Sequence, residues 1–368
     1  MKIRIFQPIV PEYRVALFNG VGERYRGKVE VWASDSLNKV DCSCPLTSCV
    51  YDYAHKWHKF GPFVWQSGFR VDDLSPQEDV VVINGDIHQI STLRIAILCK
   101  IKGIKVVWWG HHKTSTSKPL GVKIRLAIAK LLSDVFLCYT KTGILYLEER
   151  GFLRGRVFAT GNTIDQTPIA SAIERFRLGI GCDKLIEYYR NRPFVLCCGV
   201  MREKVHLDLF ISAMADPRLE NICLVVIGDG PMKETWQKMA TELGVDGRVK
   251  WMHGTRNQED MAPWFLNAKA FLYPGSIGLS ILHSFSYGLP VVTHGNANHH
   301  MPEFDVMEDG KTGVCFVEND IEDLICKTAA FLKDEPRRVE MGRYCQKLAF
   351  EKYSMDQMVD NFCEAIEA

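Results

Sequence analysis

Apolar residues in this chain come in short continuous runs rather than in alternation with polar ones. In the first half they are Ile3–Val10, Val29–Ala33, Val80–Ile83, Val106–Trp109, Val135–Tyr139 and Val157–Ala159. In the second half they are Phe194–Cys198, Ile222–Ile227, Val249–Met252, Ala270–Tyr273, Pro290–Thr293 and Val314–Val317. Such runs, bounded by turn residues, are what strands buried on both faces require. Between them lie segments with helical spacing, among them Ile90–Lys100, Lys123–Leu132, Leu207–Met214, Met232–Leu243, Gly278–Tyr287 and Ile321–Leu332. Strand–helix–strand alternation predicts parallel sheets with right-handed crossovers. The expected class is α/β, with two Rossmann-like, doubly wound domains facing each other across a cleft.

The expected division is a first domain over 1–170, a linker and helix over 171–192, a second domain over 193–350 and a C-terminal helix over 351–368. The stretch from Gln166 to Arg192 has Pro168, an amphipathic segment from Ile169, then Gly179 and Gly181, and no apolar strand. In open α/β sheets ligands bind beyond the carboxyl ends of the strands, so residues that follow strands carry the candidate chemistry.

Composition narrows the classes. The chain has 368 residues, 45 Lys+Arg and 44 Asp+Glu, a balance that gives no support to a nucleic-acid binder. The longest apolar candidate, Ile95 to Trp109, is broken by Lys100, Lys102 and Lys105, so no transmembrane helix is expected. The first residues lack the apolar stretch and cleavage site of a signal peptide. The thirteen cysteines are scattered, and the one cluster, Cys42, Cys44 and Cys49, lacks a zinc spacing. A reducing, cytoplasmic location and free cysteines are expected.

Four post-strand segments stand out. Ile227-Gly228-Asp229-Gly230-Pro231-Met232 combines a tight glycine turn with a helix start, Pro231 being suited to the first helical position. Tyr273-Pro274-Gly275-Ser276-Ile277-Gly278-Leu279 leads into a helix on which Ser280, His283 and Tyr287 share a face expected to look into the cleft, with Gly288 as its stop. Gly199-Val200-Met201-Arg202-Glu203-Lys204 places two cations after a strand, where a phosphate could sit, though solvated charges at a helix start would look the same. Trp109-Gly110-His111-His112-Lys113 places two histidines after another; with no partnering ligand spacing, hydrogen bonding or base chemistry is more economical than metal binding. Neither a Walker A pattern nor a dinucleotide fingerprint occurs, which disfavours an oxidoreductase.

Taken in order, these segments resemble the retaining GT-B glycosyltransferases of the glycosyl-transferases-group-1 type, family four, in their bacterial polysaccharide-assembly branch. The resemblance rests on Gly228–Pro231, Val249–Gly254, Gly278–His283 with Gly288–Val292, Pro302-Glu303 with Glu308–Gly313, and Gly161–Asp165. The start Pro11-Glu12-Tyr13-Arg14 is similar to that of some members of the branch. The family usually has two glutamates eight positions apart, where this chain has Gly275 and His283. Its Arg and Lys align with Val200 and Val205, so that Arg202 and Lys204 would have to take over by a local shift.

The resemblance implies a GT-B fold whose C-terminal helix crosses back to the first domain. It also implies transfer of a sugar, with retention, from a nucleoside-diphosphate sugar to a glycan or lipid-linked acceptor in surface polysaccharide or lipopolysaccharide synthesis, with no metal and no cofactor beyond the donor. Gly199, Gly228, Gly230, Ser276, Gly278, Leu279, Ser280, His283 and Glu303 are then the donor-binding candidates, with His283 on the ribose. His111, Arg202 and Lys204 are the catalytic candidates, His111 directed at the donor sugar. Pro11, Tyr13, Arg14, Asp86 and His112 are the acceptor-side candidates. A departing diphosphate needs compensating charge: a cation at ~4 Å offers about 4 kcal/mol at an effective dielectric of ~20. A helix N-terminus offers roughly 0.3–1 kcal/mol, so side-chain cations should dominate. Lys113, Lys118, Lys123, Arg125 and Lys130 lie among Leu and Ile, a pattern that suits either a solvated helix or peripheral contact with an anionic membrane at its inner face. The competing readings are a catalytically inactive nucleotide-sugar-binding relative and a GT-B nucleotide-sugar epimerase or hydrolase.

Overall fold

A computed structural model describes residues 1–34, 36–37, 40–41, 46–52, 56–112, 119–180, 189 and 192–368. Cys42, Cys44, Lys113, Lys118 and Gly181 lie outside the described residues. The chain divides into two units, Met1–Ile164 with Met355–Ala368, and Asp165–Ser354.

In the first unit the parallel strands are β1 (Lys2–Phe6), β2 (Lys28–Trp32), β5 (Val50–Asp52), β8 (Asp79–Asn84), β9 (Lys105–Trp109), β10 (Val135–Cys138) and β11 (Val157–Ala159). Two antiparallel hairpins, β3 (Ser36–Leu37) with β4 (Val40–Asp41) and β6 (Trp57–Phe60) with β7 (Phe63–Gln66), are inserted among them. The sheet order is β11-β10-β9-β8-β1-β2-β5. The chain thus builds outward from β1 on one side, then returns to β8 and builds on the other. The reversal between β1 and β8 is the switch point at which doubly wound sheets open a ligand crevice.

The terminal helix Met355–Glu367 belongs to this unit, the crossing back expected above. Its apolar face, Met358, Val359, Phe362, Cys363, Ala365 and Ile366, is buried in the same core as Ile3, Val31, Val82 and Trp109. Trp109 and Phe362 meet edge-on with ring centres 5.2 Å apart. Gly20 is the contact that lets the helix dock: a Cβ there would lie 2.7 Å from a Val359 methyl.

In the second unit the strands are β12 (Phe194–Cys198), β13 (Cys223–Ile227), β14 (Val249–Met252), β15 (Ala270–Leu272), β16 (Val291–His294) and β17 (Gly313–Phe316). All pairings are parallel, in the order β14-β13-β12-β15-β16-β17. This 3-2-1-4-5-6 order is that of the Rossmann fold, with its switch point between β12 and β15. The helix Thr167–Arg177 is part of this unit, and Gln166 Nε2 donates to the Tyr353 carbonyl at 3.1 Å near the unit's other end.

All twelve apolar runs fall on strands of the two sheets. The differences are local. The helix expected from Gly278 spans Ser280–Ser286, and that expected from Lys123 starts at Pro119. Pro231 is not the first helical residue; the helix is Lys233–Glu242. The cause is Met201, whose carbonyl takes the Met232 N–H at 3.0 Å and holds that turn outside the helix.

Candidate functional site

In the second unit four post-strand loops are joined into one continuous rim. Met201 N–H donates to the Asp229 carbonyl at 3.0 Å, tying the loop after β12 to the glycine loop after β13. The loop after β12 also accepts from the loop after β15: Gly275 N–H reaches the Val205 carbonyl at 2.9 Å, and Ser276 N–H reaches the Lys204 carbonyl at 2.8 Å. The loop after β16 closes on the same segment. Ile277 N–H donates to His300 Nδ1 at 3.1 Å, and Met301 N–H donates to the Ile277 carbonyl at 3.0 Å.

Two glycines make this stitching possible. A Cβ on Gly228 would lie 1.9 Å from the Gly199 carbonyl oxygen, and one on Gly275 would lie 2.2 Å from that of Lys204. Gly230 is similarly pressed on Met201, 2.4 Å from its carbonyl oxygen. Asp229 locks the glycine loop from outside, with Lys233 Nζ at 2.7 Å, His253 Nδ1 at 3.1 Å and the Gly254 N–H at 2.8 Å. The Lys233 hydrogen bond is the main reason its carboxyl is pulled down to about 2.

The rim collects most of the donor-side candidates. Gly199, Gly228, Gly230, Ser276, Gly278 and Leu279 are all on its backbone. Arg202 and Lys204 are exposed on the turn after β12, while Val205 is fully buried. Glu303 is buried, its Oε2 at 3.6 Å from where a Gly278 Cβ would stand.

His283 and Tyr287 do not form the open face expected of the helix Ser280–Ser286. His283 Nε2 and the Tyr287 hydroxyl both meet Oε1 of Gln258 at 2.9 Å, and both rings pack on Phe265 at 4.7 Å. The apolar helix Gln258–Asn267 covers that side, and burial pulls the His283 imidazole down to about 4.

His300 is the residue that sequence reasoning missed. It is 4% exposed, stacked between His294 at 3.8 Å and Phe304 at 3.9 Å. Its Nδ1 accepts from Ile277 and its Nε2–H donates to the His294 carbonyl at 2.9 Å, so both nitrogens are committed with the ring neutral. The only signal was its place before Met301-Pro302-Glu303. His300→Phe, which keeps the stack and removes the acceptor, is expected to raise the donor KM several-fold with a smaller change in kcat. His300→Asn, whose amide oxygen can take the Ile277 N–H, should recover most of it. Equal kinetics for both variants would contradict the brace.

In the first unit the candidates gather at the carboxyl ends of β1, β8, β9 and β10. Arg14, in the first turn of the helix Glu12–Arg24, is 7% exposed and lies over the rings of Trp109 at 4.6 Å and Tyr139 at 5.3 Å. His111 packs on Tyr139 at 4.7 Å. His112 turns the other way, to Tyr146 at 5.2 Å and the backbone at Gly143. Asp86 is exposed and holds His88 Nδ1 at 2.9 Å; Pro11 and Tyr13 flank Arg14. Arg125 departs from the basic-face reading: it is half-buried and donates from Nη2 to the His112 carbonyl at 2.8 Å. Lys123 and Lys130 stay exposed on the helix Pro119–Leu132. Burial, then the nearby Arg125 and Arg14 cations, pull the His111 imidazole down to about 4.

These histidines give the fold an acid limit. His111, His283 and His300 each sit at about 4, chiefly through burial, against 6.5 in the unfolded chain. The unfolded chain therefore takes up protons first as pH falls, so their stabilising contribution is full above about 6.5 and is lost on the way to about 4. Each can remove up to about 1.4 kcal/mol per pH unit in that window. Melting temperature should hold from about pH 8 to 7 and fall steeply below about 6; a rise between about 6.5 and 5 would contradict it.

Among the described residues, no group of three or more His, Cys, Asp or Glu is placed to hold a metal ion, and no helix is long and apolar enough to cross a membrane.

Residues 186–348, most of the second unit, match the family described as glycosyl transferases group 1. The chain is related to that family through this unit. It is 30% identical over 168 residues to the sulfoquinovosyl transferase SQD2 of Arabidopsis thaliana, covering 44% of this chain and 31% of that protein. It is 26% identical over 179 residues to the lipopolysaccharide core biosynthesis glycosyltransferase LpsE of Rhizobium meliloti, covering 48% and 50%. The matches thus span half or less of these relatives' lengths. Among solved structures, HepE of Anabaena in complex with UDP superposes with a TM-score of 0.72 at 14% identity, covering 100% of both chains. The lipopolysaccharide outer core galactosyltransferase WaaB does so with a TM-score of 0.70 at 16% identity, covering 100% and 99%. At these identities the likeness concerns the fold, and that fold is GT-B.

Proposed function

We propose that the chain is a glycosyltransferase that moves a sugar from a nucleoside-diphosphate sugar to a glycan or lipid-linked acceptor in polysaccharide synthesis. The observation that carries this reading is the rim of the second unit, in which four loops meet at the switch point inside the segment that matches the group 1 family. Backbone N–H groups and a crowded glycine loop suit a diphosphate held close to the main chain. SQD2 and LpsE, similar over 44% and 48% of this chain, carry transferase names, and HepE was crystallised with UDP.

In this reading Arg202 and Lys204 stabilise the departing diphosphate, and the leaving phosphate takes the acceptor proton. A front-face route with retention then needs neither an acid/base carboxylate pair nor a metal ion. Product anomer analysis tests the retention, and full activity after chelation tests the metal independence. His111, neutral near pH 7, serves as a hydrogen-bonding partner of the reacting groups rather than as a charge.

The charge assignment makes a direct prediction. Lys204→Ala should lower donor turnover much more than Ser276→Ala, since Lys204 contributes a full charge and Ser276 at most a neutral hydroxyl, its N–H being committed to the Lys204 carbonyl. Small, equal effects from both would remove the assignment. Binding is tested by melting the full chain with a panel of nucleoside diphosphates and nucleotide sugars. A ligand at ~100 times its Kd adds about 2.7 kcal/mol, a shift easily resolved. No shift with any member of the panel would overturn the reading.

A further inference from the structure

The first unit treats its buried arginines in two ways. Arg4, in β1 and 3% exposed, is compensated by three carboxylates, Asp79 and Asp73 at 2.9 Å and Glu30 at 3.6 Å. Arg14 has no carboxylate at ion-pair distance among the described residues. Its guanidinium lies over the rings of Trp109, Tyr139 and Tyr13, and its Nη1 is buried without a hydrogen-bond partner. Arg125 is a second case. One of its nitrogens donates to the His112 carbonyl, and its Nε is buried without a partner. The carboxylate that acts on it is Asp86, which is exposed and held by His88.

Both cations act on His111, whose neutral ring shares Tyr139 with Arg14. Burying a cation without a counter-charge is costly, and native proteins keep such groups paired unless function requires otherwise. Arg14 with no carboxylate partner among the described residues, and half-buried Arg125 with only the exposed Asp86 acting on it, at the carboxyl ends of β9 and β10, point to a counter-charge brought by a ligand. Guanidinium groups match oxyanions, and stacking on rings fixes the plane in which their donors lie.

We propose that Arg14 and Arg125 form a binding site for an oxyanion, phosphate or carboxylate, carried by the acceptor of the transfer reaction. The word acceptor rests on the glycosyltransferase reading; the anion site itself does not. The acceptor is then an acidic sugar or a phosphorylated one, held through its charge while a hydroxyl reacts.

The test is thermal melting of the full chain with inorganic phosphate or with glucuronate, each titrated at constant ionic strength. At least one anion should raise the melting temperature of the wild type and of the double variant Arg202→Ala/Lys204→Ala, which silences the cations of the second unit. The gain should vanish in Arg14→Met and in Arg125→Met. A gain with phosphate alone assigns a phosphorylated acceptor, and one with glucuronate alone an acidic sugar. Without anion, Arg14→Met should melt above the wild type, because it removes an unpaired charge and keeps the apolar packing; a purely structural arginine would give a drop.

The proposal is overturned if neither anion shifts the wild type. It is also overturned if the gain survives both Met variants, or is lost only in the Arg202/Lys204 variant. Should Arg14→Met fail to fold, Arg125→Met carries the same reading. None of these results depends on turnover, so a chain that binds the anion but transfers no sugar would contradict the function and leave the site standing.

Discussion

His111→Ala is expected to bind nucleotide as the wild type does and to lose most of the transfer. In the proposed reading the nucleotide is held by the rim of the second unit, while His111 follows β9 of the first. The imidazole is pulled down to about 4, so it is neutral throughout the working range and can donate or accept one hydrogen bond. A preorganised hydrogen-bonding group at a reacting centre contributes on the order of 10²-fold or more to kcat. Loss of a contact made mainly in the transition state lowers kcat and kcat/KM together. His112→Ala should be milder, because His112 faces Tyr146 and the helix Lys141–Glu148. Single-turnover kinetics with nucleotide binding measured in parallel decides the matter: a fall in nucleotide affinity with unchanged chemistry would reverse the assignment.

Writing the family's glutamate into position 275 should damage the protein. Gly275 is enclosed by the backbone of the loop after β12, with Lys204 O at 2.2 Å and Val205 C at 2.9 Å from an added Cβ. Backbone cannot give way as a side-chain tip can, so Gly275→Glu must push the two loops apart. Overpacking of this kind costs about 1–3 kcal/mol. In a unit of this size each kcal/mol is worth roughly 2–4 °C in melting temperature. The displaced hydrogen bonds are those of the Gly275 and Ser276 N–H groups to the Val205 and Lys204 carbonyls, so Lys204 shifts with them and the donor KM should rise by about tenfold, the worth of one hydrogen bond to a charged group. Gly275→Ala should show the same direction at smaller size. A gain in turnover from Gly275→Glu would mean that the loop can open and that the glycine is a lost catalytic position.

Much of the architecture was legible because burial on both faces writes itself as an unbroken apolar run. Phe194–Cys198 and Val249–Met252 are strands with the expected bounds. The segment from Val50 to Gln66 was not legible for the converse reason. Val50, Tyr51, Phe60 and Phe63 are exposed, and β5 is a three-residue edge strand, too short to show a period. The rim was legible as loops that follow strands, since topology alone brings those loops together. The fate of individual side chains was not. His283 is decided by Gln258, which comes twenty-five residues earlier on another helix. His300 is decided by the Ile277 N–H, the His294 carbonyl and the rings of His294 and Phe304. Arg14 is an acceptor-side candidate in sequence, and only Trp109 and Tyr139, brought over it by the sheet, show that its charge is buried.

The central claim is that the chain transfers sugar from a nucleoside-diphosphate donor bound at the rim of the second unit. It is tested most directly by incubating the full chain with radiolabelled nucleotide sugars and a pool of glycan and lipid-linked acceptors. Label transferred and nucleoside diphosphate released are then counted together. One donor should give transfer and release in equal amounts, both lost in Lys204→Ala. Nucleotide binding without turnover of any donor would make the chain a binding protein, and release of free sugar without transfer would make it a hydrolase; either result would contradict the account.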